Sequence, residues 1–262
     1  GGALSAERLW GAPRDEARKS ALWAVELLEA AYQGRAALSA FCRARGEAAG
    51  LPSLEVIDQR TSATVGEPAY FVLRCAEART MIVGIRGLDS LQDAVTAIDA
   101  SPVPLLDGRC HRGAMRASEW VLGRVWKHVI RHQPKEIQVL GHSLGGAVAA
   151  CIAVAVGADP SSGLEGRPPG CRVAALAVGC PPCFSYGGRL RAAAEALVTT
   201  WVNGCDAVPY LSEANVDSLL DKGVGGHRRA GGVPAAQTAA PLPPEHRQSL
   251  LCHSVFPCKP EP

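Results

Sequence analysis

The sequence contains no hydrophobic run long enough to cross a lipid bilayer. A transmembrane helix needs about 20 consecutive apolar residues, and the longest candidate, Ala147–Val156, is much shorter. A basic segment followed by an apolar one, the pattern of a signal peptide, is also missing. Because the chain begins with Gly1-Gly2 instead of methionine, we expect a trimmed or internal piece of a longer protein, and its compartment stays open.

The chain has no large excess of positive or negative charge. The 262 residues include 27 Lys and Arg against 25 Asp and Glu, which gives a net charge of +2. This balance offers no electrostatic reason to expect a nucleic-acid partner. The length and the 47% hydrophobic composition suffice for a sizeable core. We predict an N-terminal helical segment over residues 1–50 and one α/β unit over residues 51–262.

Paired metal-binding motifs are missing as well. Cys180 and Cys183 have C-x-x-C spacing, but there is no second such pair. We therefore predict no metal site and no cofactor. Three of the ten cysteines, Cys75, Cys151 and Cys171, lie in or beside apolar runs and are expected to be small core residues.

Short apolar runs alternate with segments of helical spacing along the chain. This alternation predicts an α/β protein whose mainly parallel sheet is covered by helices on both faces. The predicted strands are Tyr70–Leu73, Met81–Ile85, Ile137–Leu140, Val173–Val178, Leu197–Val202 and Leu250–Phe256. The predicted helices are Ala17–Phe41, Asp89–Ala100, Gly113–His132, Ala147–Val156 and Gly188–Ala196, and Val103–Arg109 is expected to be a loop.

The most informative motif is Gly141-His142-Ser143-Leu144-Gly145, which follows an apolar strand and precedes a run of small residues. In a nucleophile elbow of this pattern, the serine lies on a sharp turn with its hydroxyl exposed. The glycines let strand and helix approach closely, and the helix N-terminus directs its N–H groups at developing negative charge. We therefore predict that Ser143 is a catalytic nucleophile. The alternative is an ordinary strand–turn–helix unit with an idle serine.

Such a serine needs an acid that follows a later strand. The segment Trp201-Val202-Asn203-Gly204-Cys205-Asp206 reads as the end of an apolar strand, a turn and an aspartate. We predict that Asp206 orients the catalytic base. Two alternatives stay open: Asp206 only caps the following turn, or another aspartate takes the role, namely Asp159, Asp217 or Asp221.

An oxyanion hole of two backbone N–H groups is also expected. One N–H belongs to the residue after the nucleophile, here Leu144. The other comes from a loop after an earlier strand, and Ile85-Arg86-Gly87-Leu88 ends such a strand. Because Gly87 permits close approach of the backbone, we predict that Leu88 supplies the second N–H. Its alternative role is that of a plain turn residue.

Three histidines follow Asp206, and any of them could be the base. We predict His253, because it follows apolar residues and could project from the end of a strand. His227 lies in Gly-Gly-His-Arg-Arg and His246 in Pro-Pro-Glu-His-Arg, which are both loop-like, and both stay open as alternatives. A histidine in a terminal strand can also be a simple surface or packing residue.

Together these motifs resemble the class 3 lipases, and among them the sn-1-specific diacylglycerol lipases, over roughly residues 55–220. Besides the nucleophile motif, the segments that carry the resemblance are Ile85–Ala94, Cys110–Met115, Val178–Pro182 and Asp206–Ser212. The resemblance implies an α/β-hydrolase fold, a di- or triacylglycerol substrate and an acyl-enzyme on Ser143. It also implies a lid helix near Asp89–Ala100 and contact with a membrane or lipid-droplet surface.

The sequence departs from this family in two places. Leu88 stands where the family usually has a hydroxyl residue, which removes side-chain help to the oxyanion. The stretch Leu242–His253 resembles one that precedes the catalytic histidine, so on that alignment the base lies beyond Pro262. Two alternatives to an acylglycerol lipase therefore stay open: a phospholipase A1 or galactolipase, and a catalytically incomplete module that binds lipid or protein.

Overall fold

The computed structural model describes residues 14–49, 51–64, 66–87, 101–158, 166–185, 187–202, 206 and 208–210. Within these ranges the strands are β1 (Glu55–Arg60), β2 (Tyr70–Cys75), β3 (Thr80–Ile85), β4 (Pro102–Leu105), β5 (Gly108–His111), β6 (Glu136–His142), β7 (Arg172–Val178), β8 (Phe184–Ser185) and β9 (Val198–Trp201). The α-helices are α1 (Arg14–Tyr32), α2 (Arg35–Arg45), α3 (Arg112–His132), α4 (Leu144–Gly157) and α5 (Gly188–Leu197), and short 3₁₀ helices cover Glu47–Ala49 and Val208–Tyr210.

Six strands form one sheet in the order β1-β2-β3-β6-β7-β9. The pairs β1–β2 and β2–β3 are antiparallel, whereas β3–β6, β6–β7 and β7–β9 are parallel. The segments that connect the parallel strands contain α3, α4 and α5, as the alternating pattern predicts. A small antiparallel sheet, β4-β5-β8, lies beside the main one.

Side chains that alternate along the strands divide the core between the two faces of the main sheet. On β2, Val72 packs with α3 and α4, while its neighbours Phe71 and Leu73 pack with α1 and α2. The expected cover of helices on both faces is therefore confirmed. Helix α4 is buried along nearly its whole length, which confirms the burial predicted from its apolar composition.

Gly84, in the middle of β3, gives room to an aromatic ring. It pairs with Phe71 of β2, and a Cβ at position 84 would overlap the Phe71 ring. The fully buried ring thus covers the backbone of its partner strand. This contact holds β2 against β3, the strand that leads into the candidate site.

Three local predictions were wrong. The single helix predicted over 17–41 is two helices, because Gly34 adopts a φ of +100° between them. The predicted loop Val103–Arg109 contains most of the β4–β5 hairpin. Among the described residues β4 pairs with β5 alone, and an edge strand tolerates proline. Strand β1 was missed because it is a charged edge strand with no fully buried position.

Some predictions concern residues outside the described ranges. These are the helix Asp89–Ala100 and the strand Leu250–Phe256. The boundary between a helical segment and an α/β unit near residue 50 stays a prediction. Within the described ranges, no helix combines the length and the apolar composition needed to span a membrane.

Candidate active site

Ser143 lies on the sharp turn between β6 and α4. Its φ of 55° and ψ of −127° form a combination that residues other than glycine rarely adopt. Its backbone N–H donates a hydrogen bond to the carbonyl of Val178 at the end of β7, at 2.8 Å. The hydroxyl does not cap α4, and the residue is partly exposed. This is the strained strand–turn–helix geometry of a nucleophile elbow.

The glycines on either side of Ser143 are required by close contacts. A Cβ at Gly141 would overlap the carbonyl group of Gly145 in the first turn of α4. A Cβ at Gly145 would in turn overlap the carbonyl oxygen of Ile85 at the end of β3. The two glycines therefore let β3, β6 and α4 meet at one point, with Ser143 at that point.

The backbone that follows β3 lies against the serine. A Cβ at Gly87 would stand 2.9 Å from the carbonyl oxygen of His142 and 3.1 Å from the Cβ of Ser143. On the other side of Ser143, Leu144 begins α4, and the first N–H groups of a helix have no partner within it. Leu88, the other expected oxyanion donor, lies outside the described ranges.

Asp206 lies beside the turn that follows β7. A Cβ at Gly179 would stand 2.7 Å from Asp206 Oδ2 and 4.0 Å from the Nε2 of His142. The N–H of Gly179 also donates to the carbonyl of Trp201 at 2.8 Å, which ties this turn to the end of β9. Asp206 Oδ1 accepts a hydrogen bond from the N–H of Val208 at 3.0 Å. One carboxylate oxygen therefore caps the following turn, as one alternative predicted, while the other faces Gly179.

These residues share one edge of the sheet. Gly87, Ser143, Gly179 and Asp206 follow β3, β6, β7 and β9, which are four adjacent parallel strands. In α/β sheets, ligands bind at the carboxyl ends of the strands. The other residues considered from the sequence, His227, His246, His253, Asp159, Asp217 and Asp221, lie outside the described ranges. Sequence reasoning gave no role to His142, whose exposed ring reaches the same turn as Asp206.

Four thiols converge behind this edge. They are Cys110 of β5, Cys151 of α4, and Cys180 and Cys183 of the segment after β7, and each of them affects the pKa of at least one other. Cys180 packs next to Gly146 in the first turn of α4. Hydrogen bonds from Cys151 and Cys180 outweigh burial and lower the pKa of Cys183. Spacing alone could not predict this cluster, because three separate elements contribute to it.

All the cysteines in the described part of the chain are free thiols. Cys75, Cys151 and Cys171 are buried, as predicted. In the same part of the chain, no group of three or more His, Cys, Asp or Glu side chains is arranged to hold a metal ion.

Comparison with solved structures defines the class of fold. The triacylglyceride lipase of Rhizomucor miehei is 20% identical over 77% of this chain and 76% of its own, with a TM-score of 0.57. A triacylglycerol lipase whose catalytic centre is formed by a serine protease triad gives 20% identity over 78% and 77%, with a TM-score of 0.56. The native lipase–propeptide complex of Rhizomucor miehei gives 18% identity and a TM-score of 0.52, and the match covers 78% of this chain but 66% of that one. The chain therefore has the α/β-hydrolase fold of these lipases.

The family follows from the sequence itself. The model of the family described as Lipase (class 3) matches residues 82–216, which is just over half of the chain. The chain belongs to the class 3 lipase family, whose members are ester hydrolases that act on lipids. No curated protein sequence matches the chain.

Proposed function

We propose that this protein hydrolyses acyl esters of di- or triacylglycerol through an acyl-enzyme on Ser143. The observation that carries the proposal is the strained turn that presents Ser143, next to Gly87 on one side and Gly179 with Asp206 on the other. A serine held in this way can attack an ester carbonyl once a base removes its proton. Membership of the class 3 lipases supports a lipid as the source of that ester.

In the proposed reaction, the base takes the hydroxyl proton as Ser143 Oγ bonds to the carbonyl carbon. The backbone N–H groups of Leu144 and Leu88 stabilise the resulting oxyanion. The base then gives its proton to the glyceride oxygen as the ester C–O bond breaks. Water attacks the acyl-enzyme by the same route and releases a fatty acid. None of these steps needs a metal or cofactor.

Asp206 is proposed to orient the base and to stabilise its charged form, which is the role of the acid in a serine triad. For the base we propose His253, with His227 and His246 as alternatives. Replacing each of these histidines by alanine separately tests the three candidates, because removal of the base lowers kcat by about 10³-fold or more. The Asp206→Asn variant is expected to keep binding substrate while its kcat falls steeply.

The substrate class also suggests where the protein works. Long-chain acylglycerols gather in membranes and lipid droplets instead of dissolving as single molecules, so the enzyme has to reach its substrate at such a surface. We propose a transient surface contact, which sedimentation with diacylglycerol-containing vesicles would measure. Equal sedimentation with and without vesicles would contradict it.

Labelling with a fluorophosphonate probe tests the nucleophile. We expect the protein to be labelled, the Ser143→Ala variant to be unlabelled and inactive on short-chain esters, and the Ser39→Ala control on α2 to behave as wild type. Labelling that survives Ser143→Ala would overturn the assignment. A wild type that binds acylglycerol vesicles without labelling or hydrolysis would instead indicate an incomplete binding module. The rates of hydrolysis of diacylglycerol, triacylglycerol, phospholipid and galactolipid then show which of these lipids the enzyme prefers.

A further inference from the structure

Tyr32, the last residue of α1, reaches the backbone beside the proposed nucleophile. Its phenol oxygen accepts a hydrogen bond from the N–H of Gly87 at 3.0 Å. A Cβ at Gly87 would stand 3.5 Å from that oxygen and 3.1 Å from the Cβ of Ser143. In space, Tyr32 therefore contacts Gly87, and Gly87 lies against Ser143, although Tyr32 is 111 positions before Ser143 in the chain.

Arg86 holds the tyrosine ring in place. The guanidinium carbon of Arg86 lies 4.1 Å from the centroid of the Tyr32 ring, which is a cation–π contact. Its Nη1 donates to the carbonyl of Thr61 at 3.0 Å, and its backbone N–H donates to the carbonyl of Ala69 at 3.0 Å. Both the arginine and the aromatic ring beneath it are thus tied to the sheet, so the phenol oxygen has a defined position.

We infer that Tyr32 is a positioning residue for the backbone that binds the oxyanion, an inference that rests on the function proposed above. An oxyanion hole works because its donors are oriented before the reaction begins. Gly87 by itself is free to adopt many backbone conformations, and the bond that its N–H donates to Tyr32 fixes its peptide group. That bond also occupies the Gly87 N–H, so the donor to the oxyanion is the N–H that follows.

The need for such a restraint is greater here than in relatives with a hydroxyl residue after this glycine. Leu88 has no side-chain donor, so the backbone alone must stabilise the negative charge at this position. Tyr32 lies outside residues 82–216, the part of the chain that the family model matches. The N-terminal helix therefore has a function in the reaction besides covering the sheet.

The Tyr32→Phe variant tests this role, because it removes the phenol oxygen and keeps the ring beneath Arg86. We expect kcat on a short-chain ester to fall about tenfold, a fraction of the loss on deleting an oxyanion donor itself, while KM changes less than twofold. A boronic acid forms a tetrahedral adduct on the serine, and its inhibition constant should rise by the same factor. Tyr70→Phe, whose hydroxyl bonds to Asp58 instead, is the matched control and should leave kcat unchanged.

Hydrogen exchange of the Gly87 amide gives a readout that does not depend on activity. We expect faster exchange in Tyr32→Phe than in wild type and Tyr70→Phe. Faster exchange with unchanged kcat and boronic-acid affinity would overturn the inference, since the bond would then be merely structural. Unchanged exchange would also overturn it. A wild type that shows the predicted exchange but neither turnover nor labelling at Ser143 would refute the proposed function, and the role of Tyr32 in catalysis with it.

Discussion

The backbone of Gly179 lies directly against the carboxylate of Asp206, with no room for a side chain between them. A Cβ on Gly179 would stand 2.7 Å from Asp206 Oδ2, and the glycine has a φ of +55°. The turn after β7 therefore fixes where the proposed acid of the triad lies. Any side chain at position 179 must displace either the turn or the carboxylate.

The Gly179→Ala variant should accordingly lose activity beyond what its stability explains. Adding a Cβ at positive φ costs about 1–2 kcal/mol of folding free energy, and the contact with Asp206 adds displacement of the acid. Gly170→Ala is the matched control, because Gly170 has a φ of +69° with nothing within 4 Å of its Cβ position. We expect the two variants to lose similar amounts of stability, as measured by urea unfolding. Only Gly179→Ala should also show a kcat/KM at least tenfold below that of wild type. Equal activity in the two variants would contradict a role for Asp206.

The backbone conformation of Ser143 is expected to lower the free energy of unfolding of the protein. Its φ of 55° and ψ of −127° fall in a region that costs a non-glycine residue about 1–3 kcal/mol. Ser143→Gly should therefore raise the free energy of unfolding by about 1 kcal/mol, after allowing for the greater freedom of glycine in the unfolded chain. Ser143→Ala keeps the strain and should not be stabilised. Both variants should be inactive, and thermal unfolding that ranks glycine at or below alanine would contradict the strain.

Asp58 on β1, at the edge of the sheet, forms ion pairs with two side chains of α3. Its Oδ2 lies 2.9 Å from His128 Nε2 and 3.7 Å from Lys127 Nζ. Burial disfavours the charged carboxylate, but the hydrogen bond from His128 and the charges of Lys127 and His128 outweigh burial and lower the pKa of Asp58. A carboxyl whose pKa is lowered by folding contributes stability above its unfolded pKa, and this contribution is lost as pH falls through the folded pKa.

Asp58→Asn should therefore destabilise the protein by about 1 kcal/mol at pH 7, allowing for partial exposure of the pair. The difference from wild type should shrink at pH 3, because pH 3 lies below the ordinary aspartate pKa of 3.8 and protonation of the unfolded chain then favours unfolding of the wild type. Urea unfolding of both proteins at pH 7 and pH 3 measures this difference in stability. Glu55→Gln is the control, since Glu55 pairs with Arg74 at 2.8 Å but is 55% exposed and should contribute little at either pH. An Asp58→Asn effect that is equal at pH 7 and pH 3 would contradict the ion-pair explanation.

The sequence predicts correctly those parts of the fold that depend on residues close together in the chain. The strand before Ser143, the serine turn and the apolar helix α4 are contiguous in sequence, and their residue types dictate each of them. Gly34 breaks a helix whose apolar spacing continues on both sides, so periodicity alone misses the break. Strands β1 and β4 lack a continuous apolar run, since charged and polar residues occupy much of β1 and two prolines interrupt β4.

The contacts that complete the candidate site could not be predicted in the same way. Tyr32 and Gly87 are 55 residues apart, and only the packing of α1 against the sheet brings them together. The choice among His227, His246 and His253 is harder still, because neither the loop-like surroundings of the first two nor the short predicted strand around His253 indicates which ring lies near Ser143. Long-range pairs of this kind follow from the fold and not from spacing.

The thiol cluster makes Cys183 chemically distinct from the other cysteines. Hydrogen bonds from Cys151 and Cys180 lower the pKa of Cys183, whereas burial raises that of Cys171 and raises the pKa of Cys42 to about 11. Alkylation requires the thiolate. The rate for Cys183 should therefore reach half its maximum at a lower pH than the usual thiol value of about 8.5.

Mass spectrometry of protein treated with iodoacetamide between pH 6 and 10 measures this midpoint for each cysteine. The midpoint is read from the pH dependence of the rate and not from its absolute size, so it compares the pKa of half-buried Cys183 with that of buried Cys171. The Cys151→Ala variant removes the strongest hydrogen-bond donor to Cys183 and should move its midpoint to higher pH. Cys42→Ala, which alters a buried thiol of α2 on the other face of the sheet, should leave the Cys183 midpoint unchanged. A Cys183 midpoint that Cys151→Ala does not move would mean that the thiols do not share a hydrogen bond in solution.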